Sequence, residues 1–403
     1  MKTLFRFLPI LAGTVALSAG AAAPQTGSGE KDGYKLVWQD LFDGTELNAA
    51  RWQCEVNGNG GGNNELQYYT DRPENVRVAD DGQGNGCLIL TARRESYNGK
   101  NFTSGRVISK NKVAFKYGKV EASIRFPKTA NGLWPAFWMM GNDFDQVGWP
   151  KCGETDFIEM GNANGISRGT QDRYFNGAMH WGSRWDQHGM YSKDKTLDYS
   201  LQDGEFHLIT ATWDNQVVRM YADLDKYPDR KPYFEMTMPY NEAEKDNGWN
   251  PGNYFHKENF LLFNVAVGGD FTGIHNAANI TALNDDNGQE QSMYINYVKI
   301  YQRESDNGSL TSPDGAGDPM PGDDDDDDPE DPGDSGIDSV QPGEPTMSIV
   351  GDIVRTSEPA EITVTGLGGS TLLKTFGTEA SLASLGKGLY LVTVGNKTAK
   401  VLR

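Results

Sequence analysis

Cysteine and histidine are scarce in this 403-residue chain, which contains three cysteines and five histidines. No CxxC pair or Cys/His cluster occurs, so the sequence offers no recognisable structural zinc site. Cys54, Cys87 and Cys152 allow one disulfide at most, and the sequence does not identify its partners. The longest apolar run lies at the extreme N-terminus, which excludes an integral multispan membrane protein and membrane insertion of the folded chain.

Basic residues are also few: the chain has 37 Lys and Arg against 56 Asp and Glu, which gives a net charge of -19. An acidic chain repels phosphates, so nucleic acids and anionic membranes are not expected partners. Fifteen of the acidic residues lie between Glu304 and Glu344, a segment without Lys or Arg. The remainder of the chain is therefore only mildly acidic.

The N-terminus predicts export. Residues 1–23 combine Lys2 and Arg6, an apolar stretch over residues 7–17 and small residues over 19–23, which is the pattern of a secretory signal peptide. The apolar stretch is too short for a permanent membrane anchor. No cysteine follows it, so a lipoprotein anchor is not expected.

Short apolar or aromatic runs alternate with Gly/Asn/Asp turns over residues 33–303. Examples are CLILTA at 87–92, GKVEASIRF at 118–126 and YINYVKIY at 294–301. Each run has the length and the β-branched or aromatic content of a strand, and no long amphipathic helix period is present. We predict an all-β fold, one large antiparallel β-sandwich, for this segment.

The remaining chain predicts a linker followed by a small β domain. Residues 304–345 are rich in Asp, Pro and Gly and include six consecutive aspartates at 323–328, which favours a solvated spacer over a calcium site. Residues 346–403 contain strand-like runs at 361–365 and 388–394. This tail is short for an independent core, so a modest stability is expected.

Three acids in residues 149–160, WPKCGETDFIEM, form the most informative motif. Side chains alternate along a strand, so Glu154 and Asp156 share one face. A regular strand would place Ile158 there next, whereas one extra residue, a β-bulge, would return Glu159 to that face. We therefore predict a bulge that aligns all three acids.

The spacing predicts a glycosidase. With the bulge, Glu154 and Glu159 lie roughly 13 Å apart at Cα, and inward-leaning side chains would bring their carboxylates to about 5–5.5 Å, the separation used by retaining enzymes. Three adjacent acids cannot all ionise at low cost, so their pKa values separate. One can then act as the nucleophile and another as the acid.

Residues elsewhere in the sequence suggest a sugar-binding surface around these acids. Trp134, Trp138 and Trp149 are candidate substrate-binding residues, since the CH face of a sugar packs on an aromatic ring. Asn63 lies in a Gly-rich polar loop that could hydrogen-bond sugar hydroxyls, and His180 precedes another tryptophan. Each tryptophan could equally belong to the core.

Together these segments resemble glycoside hydrolase family 16, especially its laminarinase and mixed-linkage β-glucanase members. The resemblance also includes these segments: residues 36–44, 62–65, 103–106, 115–118, 264–269 and 298–302. It implies a jelly-roll sandwich of the concanavalin A type with an open cleft. It further implies endo cleavage of β-glucans with retention of configuration.

By the same resemblance, Glu154 looks like the nucleophile, Glu159 like the acid/base and Asp156 like the residue that assists the nucleophile. Arg106 falls with Asn63, Trp134, Trp138 and His180 where the family commonly lines its sugar subsites. The spacing E-x-D-x-x-E is similar to the laminarinase-type branch. No cofactor is required by this chemistry, and a monomer is expected.

Three positions depart from the family pattern. Gly61 stands where the family often has a stacking Trp, and Leu41 stands where a Glu is usual. Asn296 replaces a common Asp of a structural calcium site, so a calcium ion is allowed but with reduced affinity.

The tail resembles the C-terminal sorting domains of the Bacteroidetes type IX secretion system, in residues 386–392 and 397–401. With the signal peptide, this implies secretion from, or display on, a Gram-negative cell. A small carbohydrate-binding module is the alternative, but Phe376 and Tyr390 are the only aromatics available to it.

The expected function is a secreted endo-β-glucanase that cleaves β-1,3-glucan, mixed-linkage β-1,3-1,4-glucan or both. Two alternatives stay open: a glycan-binding protein that has lost catalysis on the same fold, and a hydrolase of agar or carrageenan. A sulfated substrate would favour a cluster of Arg or Lys near the motif, and only scattered basic residues occur there.

Overall fold

A computed structural model describes residues 33–315, 317–318, 347–350, 353–366, 371–382, 385, 389–394 and 397–402. The chain divides into two compact units, Met1–Asp326 and Asp327–Arg403. The predicted signal peptide and most of the predicted linker lie outside the described residues. None of the helices among the described residues has the length and apolar character needed to cross a membrane.

The larger unit is built almost entirely of strands, as the sequence predicts. The strands are β1 (Lys35–Asp40), β2 (Gln53–Cys54), β3 (Gln67–Tyr69), β4 (Val76–Asp80), β5 (Gly86–Tyr97), β6 (Lys100–Ser104), β7 (Arg106–Ile108), β8 (Ala114–Lys116), β9 (Gly118–Arg125), β10 (Leu133–Gly141), β11 (Glu154–Met160), β12 (Tyr174–Arg184), β13 (Gln187–Thr196), β14 (His207–Trp213), β15 (Val217–Ala222), β16 (Phe234–Thr237), β17 (Asn259–Val267), β18 (Glu290–Gln302) and β19 (Ser309–Thr311). Two short α-helices, α1 (Phe144–Val147) and α2 (Ala163–Arg168), flank β11. Single 3-10 turns occupy Glu242–Glu244, Pro251–Asn253, Ala277–Asn279 and Glu304–Asp306.

These strands form two sheets. The first has the order β16-β15-β14-β9-β18-β5-β6-β3, with β1 on β18 and β4 on β5. The second has the order β13-β12-β11-β10-β17-β7-β2, with β8 on β17 and β19 on β8. The named strand pairs are antiparallel except for β3 with β6. The predicted antiparallel sandwich is confirmed.

A large apolar core joins the inward faces of the two sheets. In the second sheet, the rings of Phe137 and Phe263 stack at 4.5 Å between centroids, and Phe157 packs on Phe137 at 4.8 Å. Trp38 and Trp52 are fully buried and pack edge to face in the same core. Because alternate side chains of β10, β11 and β17 are fixed in this core, the intervening ones must face the opposite side of the sheet.

The sandwich continues beyond the predicted start of the linker at residue 304. Strand β19 pairs with β8, and Asp314 and Asp318 lie 2.5 and 2.7 Å from the Arg51 guanidinium. Arg51 also lies 3.2 Å from buried Asp40, which accepts a 2.8 Å hydrogen bond from Trp52. Composition could not reveal this boundary, since two of the spacer-like acids are partners of a buried arginine.

The calcium site implied by the resemblance stays a prediction at Asn296. Its Nδ2 donates a 2.9 Å hydrogen bond to the carbonyl oxygen of Gly86. A calcium ion needs oxygen ligands that point their lone pairs at it. This hydrogen bond uses the amide nitrogen of Asn296 and does not involve its Oδ1.

The smaller unit contains one antiparallel sheet, in the order β20-β21-β23-β24 with β22 on β21. Its strands are β20 (Met347–Val350), β21 (Ile353–Gly366), β22 (Thr371–Ser381), β23 (Leu389–Val394) and β24 (Lys397–Leu402). Val354, Ile362, Val364, Val392 and Val394 form the centre of its core. The predicted small β domain is confirmed as a fold.

All three cysteines are free thiols in this structure. Cys87 and Cys152 are buried, and Cys54 is half-buried. Burial raises the pKa of the Cys54 thiol to about 11, so the thiol stays protonated at neutral pH.

Replacing Arg51 with Met is expected to destabilise the larger unit. It leaves the carboxylates of Asp40, Asp314 and Asp318 without their cation, and breaking a buried charge pair costs about 3 kcal/mol or more. Arg219→Met is the matched control, because its pair with Glu235 is exposed and worth less than about 1 kcal/mol. Urea unfolding of both variants measures the difference, and equal losses would contradict the role given to Arg51.

Candidate active site

A β-bulge in β11 places three acids on one face of the second sheet. Against β10, Asp156 pairs with Trp138 and Ile158 pairs with Phe137, so Phe157 is the extra residue. The register with β12 shifts over the same interval, between Asp156 and Glu159. Phe157 and Ile158 are both buried in the core. The predicted bulge is confirmed, and the side chains of Glu154, Asp156 and Glu159 face a common cleft.

This cleft has a volume of about 980 Å³ and crosses the second sheet. Its floor consists of side chains that alternate with core residues along neighbouring strands, so it depends directly on strand register. The floor residues are Trp134, Ala136, Trp138 and Met140 of β10; Glu154, Asp156 and Glu159 of β11; Asn176, Ala178 and His180 of β12; and Asn264 of β17.

Glu159 is held by two hydrogen-bond donors. Trp134 Nε1 donates to Oε1 at 3.0 Å, and Asn176 Nδ2 donates to Oε2 at 3.0 Å. The Trp134 ring is buried and stacks on Phe271 at 4.5 Å with an interplanar angle of 14°. Trp134 therefore lines the cleft as predicted, but one of its faces is covered and its N–H is used to position Glu159.

Glu154 and Asp156 lie beside His180. His180 Nε2 is 3.5 Å from Asp156 Oδ2 and 4.0 Å from Glu154 Oε1. The Asp156 side chain is only 6% exposed, and its Oδ2 has no hydrogen-bond partner among the described residues. The other nitrogen of His180, Nδ1, is 2.8 Å from His188 Nε2, which fixes the orientation of the ring.

The electrostatics of the three acids are dominated by burial. Burial raises the pKa of Glu154, of Glu159 and, most strongly, of Asp156. The charge of Glu159 raises the pKa of Glu154, whereas Arg106 and a hydrogen bond with Trp149 lower it. Asn176 and Trp134 lower the pKa of Glu159. The acids therefore share protons near neutral pH and cannot all be ionised.

Burial and the neighbouring His188 lower the pKa of His180 to about 4. The imidazole is therefore neutral at the pH where the acids exchange protons. It adds no positive charge to the site and can donate one hydrogen bond to Asp156 or Glu154.

Arg106 and Trp138 form a second part of the cleft wall. The Arg106 guanidinium lies 4.7 Å above the Trp138 ring, and its Nε is 3.2 Å from Glu55 Oε2. Trp138 Nε1 donates to Asn264 Oδ1 at 2.7 Å. Both residues line the cleft as predicted, although the cation covers one face of the Trp138 ring.

The predicted loop residue Asn63 is exposed at the cleft rim and lines it. Gly61 of this loop has φ +59°, and a Cβ added there would lie 2.2 Å from Glu65 Oε1. The buried Glu65 carboxylate accepts a hydrogen bond from Gln67. Any side chain at position 61 would collide with the Glu65 carboxylate, which explains why this loop has Gly where the family often has Trp.

Trp149 also lies in the cleft, with its ring 4.7 Å from His188 and 6.3 Å from His180. The cleft therefore brings together all nine residues expected from the sequence. Several others were missed, namely Glu55, Asn176, His188, Asn264 and Phe271. Asn176 could have been found, since it lies four residues before His180 on a strand and must share its face.

One group of described residues has donor atoms arranged for a metal ion. Ligand atoms of Glu154, Asp156 and His180 lie within 4.8 Å of one another. The two carboxyl groups and the imidazole are the same ones that form the acid/base site. The acid/base chemistry derived below uses no metal.

Comparison with known proteins gives a consistent family. The family described as "Beta-glucan synthesis-associated protein SKN1/KRE6/Sbg1" matches residues 25–152. The glucan endo-1,3-beta-glucosidase of Cryptopygus antarcticus is 34% identical over 251 residues, which are 59% of this chain and 82% of that protein.

Of two further relatives, one is much longer than the matched segment and the other is named as a binding protein. The clotting factor G alpha subunit of Tachypleus tridentatus is 32% identical over 284 residues, 70% of this chain and 35% of that protein. The chain thus spans about a third of that relative. The beta-1,3-glucan-binding protein of Penaeus monodon is 27% identical over 289 residues, 58% of this chain and 74% of that protein.

Solved structures match about two thirds of this chain over nearly their own whole length. A Bacteroides ovatus mixed-linkage glucan GH16 protein in complex with a G4G4G3G product is 38% identical, with a TM-score of 0.56 over 65% of this chain and 99% of that one. The catalytic domain of an endo-1,3-beta-glucanase (laminarinase) from Thermotoga petrophila is 31% identical, with a TM-score of 0.52 over 67% and 98%.

Replacing Asp156 with Asn is expected to stabilise the protein at alkaline pH. The pKa of Asp156 is raised on folding, so the folded state retains a proton that the unfolded chain releases. Its contribution to stability is therefore present at low pH and lost as pH rises through the folded pKa. The melting temperature of Asp156→Asn should exceed that of the parent at pH 8, and the gap should shrink towards pH 4.

Asp223→Asn provides a control of opposite sign. Burial raises the pKa of Asp223, but hydrogen bonds from His207 and Tyr199 lower it below its usual value overall. Its stabilising contribution is present at neutral pH and is lost on acidification. Asp223→Asn should therefore melt below the parent at pH 8. An Asp156→Asn variant that also melted below the parent there would contradict the electrostatics described for the cleft.

Proposed function

The chain belongs to glycoside hydrolase family 16, and from that premise we propose that it is a secreted endo-β-glucanase that retains configuration. The observation that carries this proposal is the bulge of β11, which directs Glu154, Asp156 and Glu159 into one cleft. β-1,3-glucan, mixed-linkage β-1,3-1,4-glucan or both are the proposed substrates. Relatives named glucan endo-1,3-beta-glucosidase and a structural neighbour that holds a mixed-linkage product support both linkages.

In the first step, a carboxylate oxygen of Glu154 attacks the anomeric carbon and forms an ester bond. The glycosidic bond breaks as Glu159 gives its proton to the departing oxygen. Burial and the charge of Glu159 raise the pKa of Glu154 to about 8, and Arg106 and the Trp149 hydrogen bond limit this rise and so favour the ionised form that a nucleophile requires. The protonated Asp156 next to it can donate to that carboxylate and adds no competing charge.

In the second step, Glu159 removes a proton from a water molecule whose oxygen attacks the same anomeric carbon. The ester bond breaks, and Glu154 is restored as a carboxylate. Asn176 can hydrogen-bond Glu159 in both its ionised and its protonated state. Its Nδ2 donates to the ionised carboxylate, and its Oδ1, which has no partner among the described residues, would accept the proton of the acid after an amide rotation.

The dimensions of the cleft support cleavage within a chain. Its lining extends from Met190, Ser192 and Asp194 of β13 across the sheet to Glu55 and Asn57 beyond β7. A polymer can therefore lie across several strands on both sides of the acids. We propose export through the signal peptide at residues 1–23 and sorting through the C-terminal unit, on the resemblances described above.

The galactan alternative finds less support in the charges of the cleft. Arg106 and Lys110 line it, and each lies within 3.2 Å of a carboxylate, of Glu55 and Asp145 respectively. A sulfate group would have to compete with these carboxylates for the cations. A glycan-binding protein without catalysis has one specific observation in its favour, the Penaeus monodon relative of that name.

Replacing Glu154 with Gln is expected to lower kcat on laminarin and barley β-glucan by more than about 10³-fold, because the nucleophile is lost. The native fold and binding of the polysaccharides should persist. Glu235→Gln, an exposed glutamate of the other sheet, is the control and should keep the parent rate. A parent protein that binds these glucans but releases no reducing sugar would favour the glycan-binding alternative.

The stereochemistry of the first product tests the two-step mechanism. Two successive displacements at the anomeric carbon should release the β-anomer first. Proton NMR of an oligosaccharide digest, recorded before mutarotation, should show the β-anomeric signal rising ahead of the α signal. Initial release of the α-anomer would show that Glu154 activates water and forms no ester.

A further inference from the structure

Trp185 is an exposed aromatic side chain that the mechanism does not use. It lies in the turn between β12 and β13, where Arg184 pairs with Gln187. Its ring is 69% exposed, the highest value among the large apolar side chains described in residues 33–318. A single exposed apolar residue would need no explanation, but Trp185 also lines the catalytic cleft.

The Trp185 ring is held in place by a cluster at this end of the cleft. Its centroid is 4.8 Å from that of Trp149 and 6.5 Å from that of His188, with which it is nearly parallel at 22°. Trp149 and His188 are themselves 4.7 Å apart. Packing on Trp149 and His188 restricts the Trp185 ring before any ligand binds. Binding to it therefore costs less conformational entropy.

The cluster is connected to the reacting groups. Trp149 hydrogen-bonds Glu154, and His188 hydrogen-bonds His180, which faces Asp156. A ligand on Trp185 would therefore continue along the same cleft as a ligand on the acids. In the sheet register Glu154 lies opposite His180, and Trp185 follows His180 by five residues, just after the end of β12. A ligand on Trp185 therefore lies beyond His180 as seen from the acids.

The floor residues of β13 lie at increasing distance from Trp185, with Met190 nearest to the turn. Met190, Ser192 and Asp194 alternate along β13 and line the cleft, and Met190 is 58% exposed. Trp185 and Met190 thus offer exposed apolar surface that matches the CH face of a pyranose ring, whereas Ser192 and Asp194 lie farther along the cleft, level with Asp156 and Glu159. The tryptophans nearer the acids are less available, because Phe271 covers Trp134 and Arg106 covers Trp138.

We propose that Trp185, supported by Trp149 and His188, forms a subsite that stacks on a β-linked glucose unit remote from the cleaved bond. This inference rests on the proposed glucanase function and adds a determinant of chain length. The subsite is filled only by substrates long enough to extend from the acids to the turn between β12 and β13. It contributes binding free energy for long glucan chains and none for the shortest substrates.

Kinetics with substrates of increasing length test the subsite. Trp185→Ala should lower kcat/KM for the polysaccharide and for the longest oligosaccharides by about five- to tenfold, mostly through KM. The rate on the shortest cleaved substrate should equal that of the parent. Trp185→Tyr should restore much of the loss, because it restores an aromatic face.

Trp249→Ala is the matched control. Trp249 is 56% exposed and is not among the residues that line the cleft. Its backbone carbonyl accepts a hydrogen bond from Trp181, and its backbone N–H donates one to Asn247. Its replacement should leave both long and short substrates unaffected. Equal kinetics of Trp185→Ala and the parent at every length, or a parallel loss at every length, would overturn the proposal.

Affinity electrophoresis in glucan-containing gels separates failure of the subsite from failure of the proposed function. In a Glu154→Gln background, adding Trp185→Ala should abolish most of the retardation, and adding Trp249→Ala should preserve it. Unchanged retardation with Trp185→Ala would reject the subsite. Retardation that depends on Trp185, in a chain whose parent hydrolyses no glucan, would reject the glucanase proposal and retain the subsite.

Discussion

Side chains of a regular strand alternate between two faces, and the active site of this protein depends on one departure from that rule. The extra residue Phe157 in β11 turns Glu159 to the face already occupied by Glu154 and Asp156. Without it, Glu159 would face the core and Ile158 would face the cleft. The bulge is stable because both Phe157 and Ile158 find apolar partners in the core.

The same arrangement creates an electrostatic cost. Three carboxyl groups are taken from water and placed close together, so burial raises each pKa and the groups share protons. The surrounding residues distinguish the two glutamates. Arg106 and Trp149 act on Glu154, whereas Trp134 and Asn176 hold Glu159. Loss of folding stability at alkaline pH is the expected consequence of keeping reactive acids in a cleft.

Much of this site was predictable from the sequence, because alternation along β11 is a local property and a bulge is the simplest way to align E-x-D-x-x-E. The sandwich was predictable for the same reason, from strand-length runs. Contacts between segments far apart in the chain could not be predicted from the sequence. The stacking of Phe271 on Trp134, the hydrogen bond of Asn296 to Gly86 and the pairing of Arg51 with Asp314 each join residues far apart in the chain.

These long-range contacts changed the interpretation of particular residues. The sequence leaves Trp134 as either a stacking surface or a core residue, and in the structure its N–H positions Glu159. Residues 304–318 were expected in a solvated spacer, and they complete the sandwich through β19 and two aspartates. In each case the residue type was informative, but its partner could be identified only in three dimensions.

In the proposed mechanism, the carboxylate of Glu154 forms the covalent bond with the sugar. The most direct measurement uses a 2-deoxy-2-fluoro β-glucosyl oligosaccharide with a dinitrophenolate leaving group, because the fluorine slows hydrolysis of the ester. Peptide mass spectrometry of the inactivated protein should find the added sugar on Glu154, together with one equivalent of released dinitrophenolate. A label on Asp156 or Glu159, or turnover of the reagent without any labelled peptide, would contradict the account.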